Sequence, residues 1–267
     1  MKTENTKWFF YHERNIDTKM GKSSSYFHIK DDIEAFKLEY YVKFRDQQNA
    51  IIETKENDIK NKCEVLNDYY KKVEDFEQKY KIKSQSKFRS TVLEEFCGYL
   101  FKDLPEIKQL DLNFFNRSIF AGLKIASNGD MKIQTKDVDF CIGKEFKIVV
   151  EGKEVDLVIP LAAIECKTYL DNTMFSEGQF TAQKLKNGTP NVKVYIFTER
   201  NEIKLDNLPS QSPIDEVFVI KENNPEIDYK VVYDFFKVVQ SEIQNARREN
   251  NIKLPGRLLN FTQGSFV

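Results

Sequence analysis

The sequence contains few of the residues on which metal clusters and nucleophilic triads depend. Among its 267 residues are two histidines and four cysteines, and no two cysteines are spaced as Cys-x-x-Cys. A zinc site rich in histidine is therefore excluded, and two histidines leave little room for a Ser-His-Asp triad in the core. We expect the chemistry of this protein to depend on carboxylates and lysines.

Long apolar runs and an excess of one charge are also missing. The longest apolar run, residues 157–164, is interrupted by Pro160 and is far shorter than the ~20 residues that a membrane-spanning helix needs. The amino terminus shows no apolar region of the signal-peptide type, so we expect a cytoplasmic protein with reduced thiols. The 41 basic and 42 acidic residues give a net charge of −1, which leaves nucleic-acid binding to a local basic patch.

Aromatic residues are abundant, with 22 Phe and 12 Tyr, and 40% of the residues are hydrophobic, which is enough to bury a core. The length predicts one or two domains. Residues 31–80 contain no Pro or Gly, and apolar residues recur every three or four positions from Ile59 to Phe76, which predicts long helices. Two alternatives are open for these helices: they pack against the rest of the chain, or they form an arm that dimerises or embraces DNA.

The pattern changes to strands and shorter helices in the second part of the chain. Strands are predicted at 137–142, 145–150, 155–167, 192–198 and 216–220, and helices at 87–102, 173–186 and 229–246. This order predicts an α/β core with a mixed sheet flanked by helices. We divide the chain into a helical N-terminal arm (1–83), a core (84–246) and a C-terminal tail (247–267).

Segment 155–167 carries the most informative pattern. Its nearly continuous apolar run predicts a central strand buried on both faces, and the strand ends in Glu165 and Lys167. Because side chains alternate along a strand, these two project from one face while Cys166 faces the other. Burying both charges is costly unless something pairs them, and a divalent cation with a phosphate would do so. Across a plausible hairpin, Asp139 precedes this motif.

An aspartate on one strand followed by Glu-x-Lys on the next resembles the active site of the PD-(D/E)xK nucleases. The resemblance is closest to the Bpu-ten-I-type restriction endonucleases, two-subunit type II enzymes that cut an asymmetric duplex site. The similar segments, all within about residues 85–200, are 92–101, 139–143, 159–161 and 164–174. Val138 stands where the leading Pro of the motif name would be.

The resemblance implies a magnesium-dependent, site-specific endonuclease with a PD-(D/E)xK restriction-endonuclease-like core. Asp139 and Glu165 would then hold Mg²⁺ together with the backbone carbonyl of Cys166. Lys167 would orient the attacking water and stabilise charge on the phosphorus. The alternative for the same residues is a buried salt bridge of Glu165 and Lys167 with Asp139.

The partners that the resemblance implies are double-stranded DNA and a second nuclease subunit, either identical or unlike, because cutting both strands requires two active sites. A cognate DNA methyltransferase in the same bacterial cytosol is implied as well. Two other functions stay open from the residues alone. One is another nuclease of the superfamily, acting in repair or phage defence. The other is a non-catalytic DNA-binding or assembly protein with this fold.

The helix predicted before the sheet offers a fourth carboxylate. With 100° per residue, Glu95 falls at the edge of the apolar face of this helix, and Glu94 falls nearly opposite, toward solvent. We therefore predict that Glu95 contributes to the metal shell or holds a water. The alternative is that Glu95 is a half-exposed helix glutamate.

The register of the predicted hairpin depends on its turn and on a bulge. A two-residue turn is predicted at Gly152-Lys153. Gly143 and Pro160 interrupt the two strands at nearly matched positions, and both residues suggest a bulge inside a strand. We predict one extra residue in the first strand at this bulge.

The register after that bulge determines which of two aspartates, Asp137 or Asp139, is predicted to be the metal ligand. Without the bulge, Asp139 would face away from Glu165; with it, Asp139 lies opposite Glu165 and Asp137 lies opposite Lys167. We therefore predict that Asp139 is the ligand.

Basic residues for phosphate contacts are grouped in three places, and each group has the alternative of being a solvated surface. The groups are Lys19, Lys22 and Lys30; Lys184 and Lys186; and Arg247, Arg248, Lys253 and Arg257.

Overall fold

The computed structural model describes residues 9–83, 86–203, 211–222 and 224–247. The helices are α1 Tyr11–Lys19, α2 Lys30–Phe36, α3 Val42–Ala50, α4 Glu56–Tyr80, α5 Ser90–Phe101, α6 Pro105–Gln109, α7 Asn172–Gly188 and α8 Tyr229–Arg247. The strands are β1 Asn113–Phe115, β2 Ser118–Ile125, β3 Met131–Asp137, β4 Phe140–Val150, β5 Lys153–Lys167, β6 Lys193–Thr198 and β7 Glu216–Val219. None of the described helices combines the length and apolarity needed to cross a bilayer.

The central sheet has the order β1-β4-β5-β6-β7. The pairs β1–β4 and β4–β5 are antiparallel, whereas β5–β6 and β6–β7 are parallel. The parallel pair β5–β6 is connected through α7, as parallel strands require. This confirms the predicted α/β fold with a mixed sheet flanked by helices.

Alternating residues of β5 face two different layers of the fold. Ala162, Ile164 and Cys166 belong to the cluster of buried side chains that includes α5 and α8, and Ala163 belongs to the cluster beneath α7 and β2. Cys166 Sγ lies 3.9 Å from Cys97 Sγ of α5. The prediction that Cys166 faces away from its two charged neighbours is therefore confirmed.

The hairpin between β4 and β5 has a different turn from the predicted one. Glu151 and Gly152 form the turn, with φ values of 49° and 73°, and Val150 pairs with Lys153. The turn thus lies one residue earlier than the predicted one at Gly152-Lys153, and each residue of the inner hairpin pairs two positions away from its predicted partner. Two consecutive residues with positive φ suit the right-handed twist of the strands, and Gly adopts that conformation without strain.

The predicted bulge is present, but its extra residue lies in the second strand. Gly143 pairs with Pro160 and Ile142 pairs with Ala162, so that Leu161 is the additional residue. A Cβ at Gly143 would lie 2.5 Å from Ile159 O, which explains why glycine stands here. Beyond the bulge the register equals the predicted one, because the errors in turn and bulge cancel.

The N-terminal helices pack against the core. One cluster of buried side chains joins α1 to α4 with α5, α8 and the sheet. Its members include Phe9, Ile16, Ile33, Phe44, Leu66 and Val73, together with Phe96, Phe140, Ile164, Phe235 and Val239. This is the first of the two alternatives for these helices. The division at residue 83 stays a prediction.

Candidate active site

The three residues singled out in the sequence lie together at the carboxyl end of β5. Lys167 Nζ donates to Glu165 Oε2 at 2.9 Å and to Asp139 Oδ2 at 2.8 Å. The backbone N–H of Cys166 donates to the same Asp139 oxygen at 3.1 Å. The side chains of Asp139, Glu165 and Lys167 are 15%, 12% and 24% exposed, so the cluster is largely desolvated and still open to a substrate.

A break between two strands brings Asp139 to this position. β3 ends at Asp137, and β4 begins at Phe140, where it pairs with Ile164. Continued by one residue, this register sets Asp139 opposite Glu165, as predicted. The prediction for Asp137 was wrong: it lies in the separate β2–β3 sheet, is exposed, and accepts a hydrogen bond from Ser118 rather than facing Lys167.

Burial and mutual charge set the electrostatics of the cluster. Burial, reinforced by the negative charge of Asp139, raises the pKa of Glu165. Burial alone would lower the pKa of Lys167, but the charges of Asp139 and Glu165 outweigh it and raise that pKa. Lys167 is therefore a firmly protonated ammonium held between two carboxylates. These ion pairs fit both the catalytic hypothesis and the alternative of a structural salt bridge.

The third carboxylate beside this cluster is Glu94. Its side chain is buried, and Asn116 Nδ2 donates both to Glu94 Oε2 and to the backbone carbonyl of Asp139. Burial and the nearby charge of Asp139 raise the pKa of Glu94 to about 8. The prediction that Glu94 points to solvent was wrong. Asn116 lies in the connection between β1 and β2, and the sequence carries no signal for it.

The Glu95 side chain lies on the side of α5 that faces the N-terminal helices, whereas Glu94 lies on the side that faces Asp139. Glu95 is fully buried and accepts hydrogen bonds from the hydroxyl groups of Tyr41 and Tyr99 and from the backbone N–H groups of His12 and Glu13. Burial raises the pKa of Glu95 to about 7, against the lowering effect of these four donors. The structure therefore does not bring Glu95 together with the other predicted site residues; its role in the metal shell has no geometric support here.

Alanine at Glu95 is expected to reduce mainly stability, and alanine at Glu94 is expected to reduce mainly the cleavage rate. Glu95→Ala leaves buried hydroxyl and amide donors without an acceptor, so the free energy of unfolding should fall by about 3 kcal/mol or more. Glu94→Ala should change stability less and lower the cleavage rate about 10-fold, because it removes a carboxylate beside Asp139. Thermal unfolding and single-turnover cleavage measure the two effects. A Glu95→Ala variant that is as stable as the wild type but inactive would contradict this assignment.

Two grooves adjoin the cluster. One, of about 520 Å³, is lined by Glu165, Lys167, Lys136 and residues of α7 that include Phe180. The other, of about 1490 Å³, is lined by Asn116 and by residues of α1, α3, α6 and β1. Its basic lining residues are Arg14, Arg45, Lys102, Lys108 and Arg117. Glu165 and Lys167 thus open onto the smaller groove, and the larger groove reaches Asn116, which binds Glu94.

The predicted basic groups have mixed surroundings. Lys19 is buried and donates to Asn15 and to the carbonyl of Ser86, and Lys186 pairs with Asp215 at 2.7 Å, so both have structural partners. Lys184 is bound to the carbonyl of Thr135, beside the smaller groove. The tail residues Arg248, Lys253 and Arg257 lie outside the described residues, as does the side chain of Arg247.

The donor set at the cluster fits a hard divalent cation. No group of three or more His, Cys, Asp or Glu side chains arranged to hold a metal occurs in the described ranges. Mg²⁺, however, usually binds proteins through one or two carboxylates and completes its shell with waters and phosphate oxygens. Two carboxylates, those of Asp139 and Glu165, match that requirement together with the backbone carbonyl of Cys166, which follows Glu165 in β5. Burial and then the charge of Asp139 raise the pKa of Glu165, and a bound cation would offset both effects.

Comparisons with known proteins agree with this geometry. A chain of the solved native BbvCI A2B2 tetramer superposes with a TM-score of 0.71 over 89% of this chain and 96% of that chain, at 17% identity, which shows the shared fold. No curated protein matches the sequence significantly. The family model of the Bpu10I restriction endonuclease matches residues 85–249, more than half of the chain and a range that contains the three residues of the cluster. The chain therefore belongs to the Bpu10I restriction endonuclease family, and it is a site-specific endodeoxyribonuclease.

Proposed function

We propose that this chain is a magnesium-dependent subunit of a type II restriction enzyme, and that Asp139, Glu165 and Lys167 form its active site. The observation that carries the proposal is the Lys167 ammonium, held between the two carboxylates at 2.8 and 2.9 Å beside an open groove. Intact acidic and basic partners in this arrangement argue against a non-catalytic scaffold. Membership of a restriction endonuclease family favours restriction over repair.

Asp139, Glu165 and the carbonyl of Cys166 would hold Mg²⁺. The bound ion supplies polarisation of the scissile phosphate and lowers the pKa of a coordinated water. Glu94 would extend this shell. It is buried beside Asp139, and Asn116 donates hydrogen bonds both to the Glu94 carboxylate and to the backbone carbonyl of Asp139.

Lys167 has two tasks in hydrolysis. Its Nζ, fixed by two carboxylates, orients the water whose oxygen forms the new bond to phosphorus while the ester P–O bond breaks. Its positive charge then stabilises the extra negative charge that develops on the phosphoryl oxygens. Because nearby carboxylates raise the pKa of Lys167, it acts as an ammonium and not as a general base at neutral pH.

The proposal includes a second catalytic subunit, because each active site hydrolyses one strand. BbvCI, which shares this fold, is an A2B2 tetramer. For this chain we propose either a symmetric homodimer or a complex with an unlike nuclease subunit. A cognate DNA methyltransferase would protect the same sites in the bacterial cytoplasm.

Digestion of plasmid DNA by the purified full chain tests the proposal. With Mg²⁺ we expect cuts at fixed sequence positions, mapped by sequencing the new ends, and no cuts in EDTA. Breaks in both strands indicate a homodimer, and nicks confined to one strand indicate an unlike second subunit. Intact supercoiled plasmid in the presence of folded protein and Mg²⁺, both with and without the second subunit, or cuts at random positions, would refute the proposed function.

A further inference from the structure

A second lysine approaches the catalytic carboxylates from the segment before α5. Lys87 Nζ lies 3.9 Å from Asp139 Oδ1, whereas Lys167 Nζ binds the other oxygen, Oδ2. The Lys87 side chain is 65% exposed, so its ammonium can move toward a ligand in the open site. Asp139 is therefore flanked by two ammonium groups from different parts of the fold.

The backbone of Lys87 is held in a conformation that a lysine rarely adopts. Its φ of 57° lies in the left-handed region, which is strained for a residue with a Cβ. The Lys87 carbonyl accepts hydrogen bonds from the backbone N–H of Thr91 at 3.2 Å and from Thr91 Oγ1 at 2.9 Å. These bonds fix where the side chain leaves the backbone.

The anchor of Lys87 reaches the N-terminal helices. Thr91 Oγ1 lies 2.9 Å from Nδ1 of His12 in α1, and His12 Nε2 lies 2.7 Å from the hydroxyl of Tyr69 in α4. His12 is fully buried, and burial lowers its pKa to about 3, so it stays neutral. A rigid, uncharged network thus connects α1 and α4 to the lysine.

The charge balance of the site calls for another cation when DNA enters. The two carboxylates of Asp139 and Glu165 hold a single tightly bound ammonium, that of Lys167, and Glu94 lies beside Asp139. A phosphodiester adds a further negative charge. Arg89 is not free to respond, because it binds both oxygens of buried Glu199 at 3.1 and 2.7 Å.

We propose that Lys87 is a phosphate-binding residue of the active site, which contacts a phosphate of the cleaved strand next to Asp139. The proposal rests on the proposed nuclease function. It also assigns a task to α1 and α4, which position this lysine through His12 and Tyr69. Lys87 would bind the phosphate through its charge, and a point charge on a flexible stem suits that contact.

Substitutions at Lys87 test the proposal, with Lys81 as the matched control. Lys81 is also an exposed lysine with left-handed φ, 49°, and it lies at the end of α4. The assay measures binding of the full chain to a duplex that contains a mapped cleavage site, with Ca²⁺ in place of Mg²⁺, at several salt concentrations. It also measures the single-turnover cleavage rate in Mg²⁺.

Lys87→Ala is expected to reduce the slope of log K against log salt by about 0.9, the value for one lost phosphate contact. Its cleavage rate should fall about 10- to 100-fold. Lys87→Arg should keep the slope, and Lys81→Ala should match the wild type in both measurements. Lys87→Gly removes the amine and relieves the backbone strain, so its salt slope and its cleavage rate should fall as much as those of Lys87→Ala.

Three results would overturn the proposal: an unchanged salt slope in Lys87→Ala, wild-type behaviour of Lys87→Gly, or an equal loss in Lys81→Ala. Wild-type protein that folds but cleaves neither alone nor with the second subunit would instead refute the proposed function, and this inference with it.

Discussion

Alanine at Asp139, Glu165 or Lys167 should lower the single-turnover rate of DNA cleavage by about 10³-fold or more, while DNA is still bound. Two of these changes remove proposed metal ligands, and the third removes the ammonium that both carboxylates hold. Binding should persist in the two carboxylate variants, because loss of a carboxylate reduces repulsion of the phosphate backbone. It should persist in Lys167→Ala because the ammonium that is lost is already paired with Asp139 and Glu165. Gel-shift binding with Ca²⁺ and cleavage with Mg²⁺ separate the two effects.

Asp137→Ala provides a matched control for Asp139→Ala. Both residues are aspartates, two positions apart, but Asp137 is exposed at the end of β3 and binds Ser118. Since it does not face Lys167, its loss should leave cleavage close to the wild-type rate. Substantial cleavage by any of the three site variants, or an equal loss in Asp137→Ala, would contradict the assignment of the site.

The position of Asp139 opposite Glu165 could be predicted from the sequence, although the turn could not. Gly143 and Pro160 mark a bulge because each interrupts regular pairing, and this signal is local. The turn at Glu151-Gly152 requires a glutamate with positive φ, which sequence preferences do not favour. The register at the site can therefore be predicted from residues close to the site, whereas the conformation of the hairpin turn cannot be predicted from its sequence.

The choice between Glu94 and Glu95 could not be made from helical periodicity. Such an argument assumes that one face of a helix meets solvent, but residues 91–101 of α5 are all buried. Glu94 faces Asn116 and Asp139, and Glu95 faces tyrosines of the N-terminal layer and of α5 itself. Asn116 and Tyr41 reach these carboxylates through tertiary packing, so only the folded chain distinguishes the two glutamates.

Strands β1, β2 and β3 were not predicted for a related reason. β2 and β3 form a two-stranded sheet with many exposed or half-exposed residues, so they lack the apolar runs that mark buried strands. β1 has only three residues. The Asn128-Gly129 turn signal is present between β2 and β3, but a turn alone does not define the strands around it.

The helical pattern of residues 31–80 predicted the N-terminal helices but not how tightly they join the core. The bonds that connect the layers link residues far apart in sequence, such as the His12 N–H and the Glu95 carboxylate, 83 positions away. Periodicity reports which face of a helix is apolar and is silent about what covers that face. Here it is covered by α5 and α8, within one cluster.

Deletion of residues 1–83 is consequently expected to abolish folding. The truncated chain would expose the apolar surface that α1 to α4 cover, and Glu95 would lose the Tyr41 hydroxyl and two backbone donors. Large losses of buried area and of hydrogen bonds to a buried carboxylate exceed the ~5–15 kcal/mol that typically stabilises a domain. We expect an insoluble product or one without cooperative thermal unfolding, as measured by circular dichroism.

A pair of substitutions in the full chain tests the same attachment without truncation. Phe44 is buried, stacks on Tyr69 at 4.4 Å and meets Tyr99 of α5 edge-on at 5.8 Å, so Phe44→Ala should lower the free energy of unfolding by about 3–5 kcal/mol. Leu38 lies in the π-helical turn Lys37–Tyr41 between α2 and α3 and is 66% exposed, so Leu38→Ala should change the free energy of unfolding by about 0.5 kcal/mol or less. If residues 84–267 alone melted cooperatively and cut DNA at the wild-type positions, the N-terminal helices would be an independent arm, because a shared core cannot survive the removal of one side.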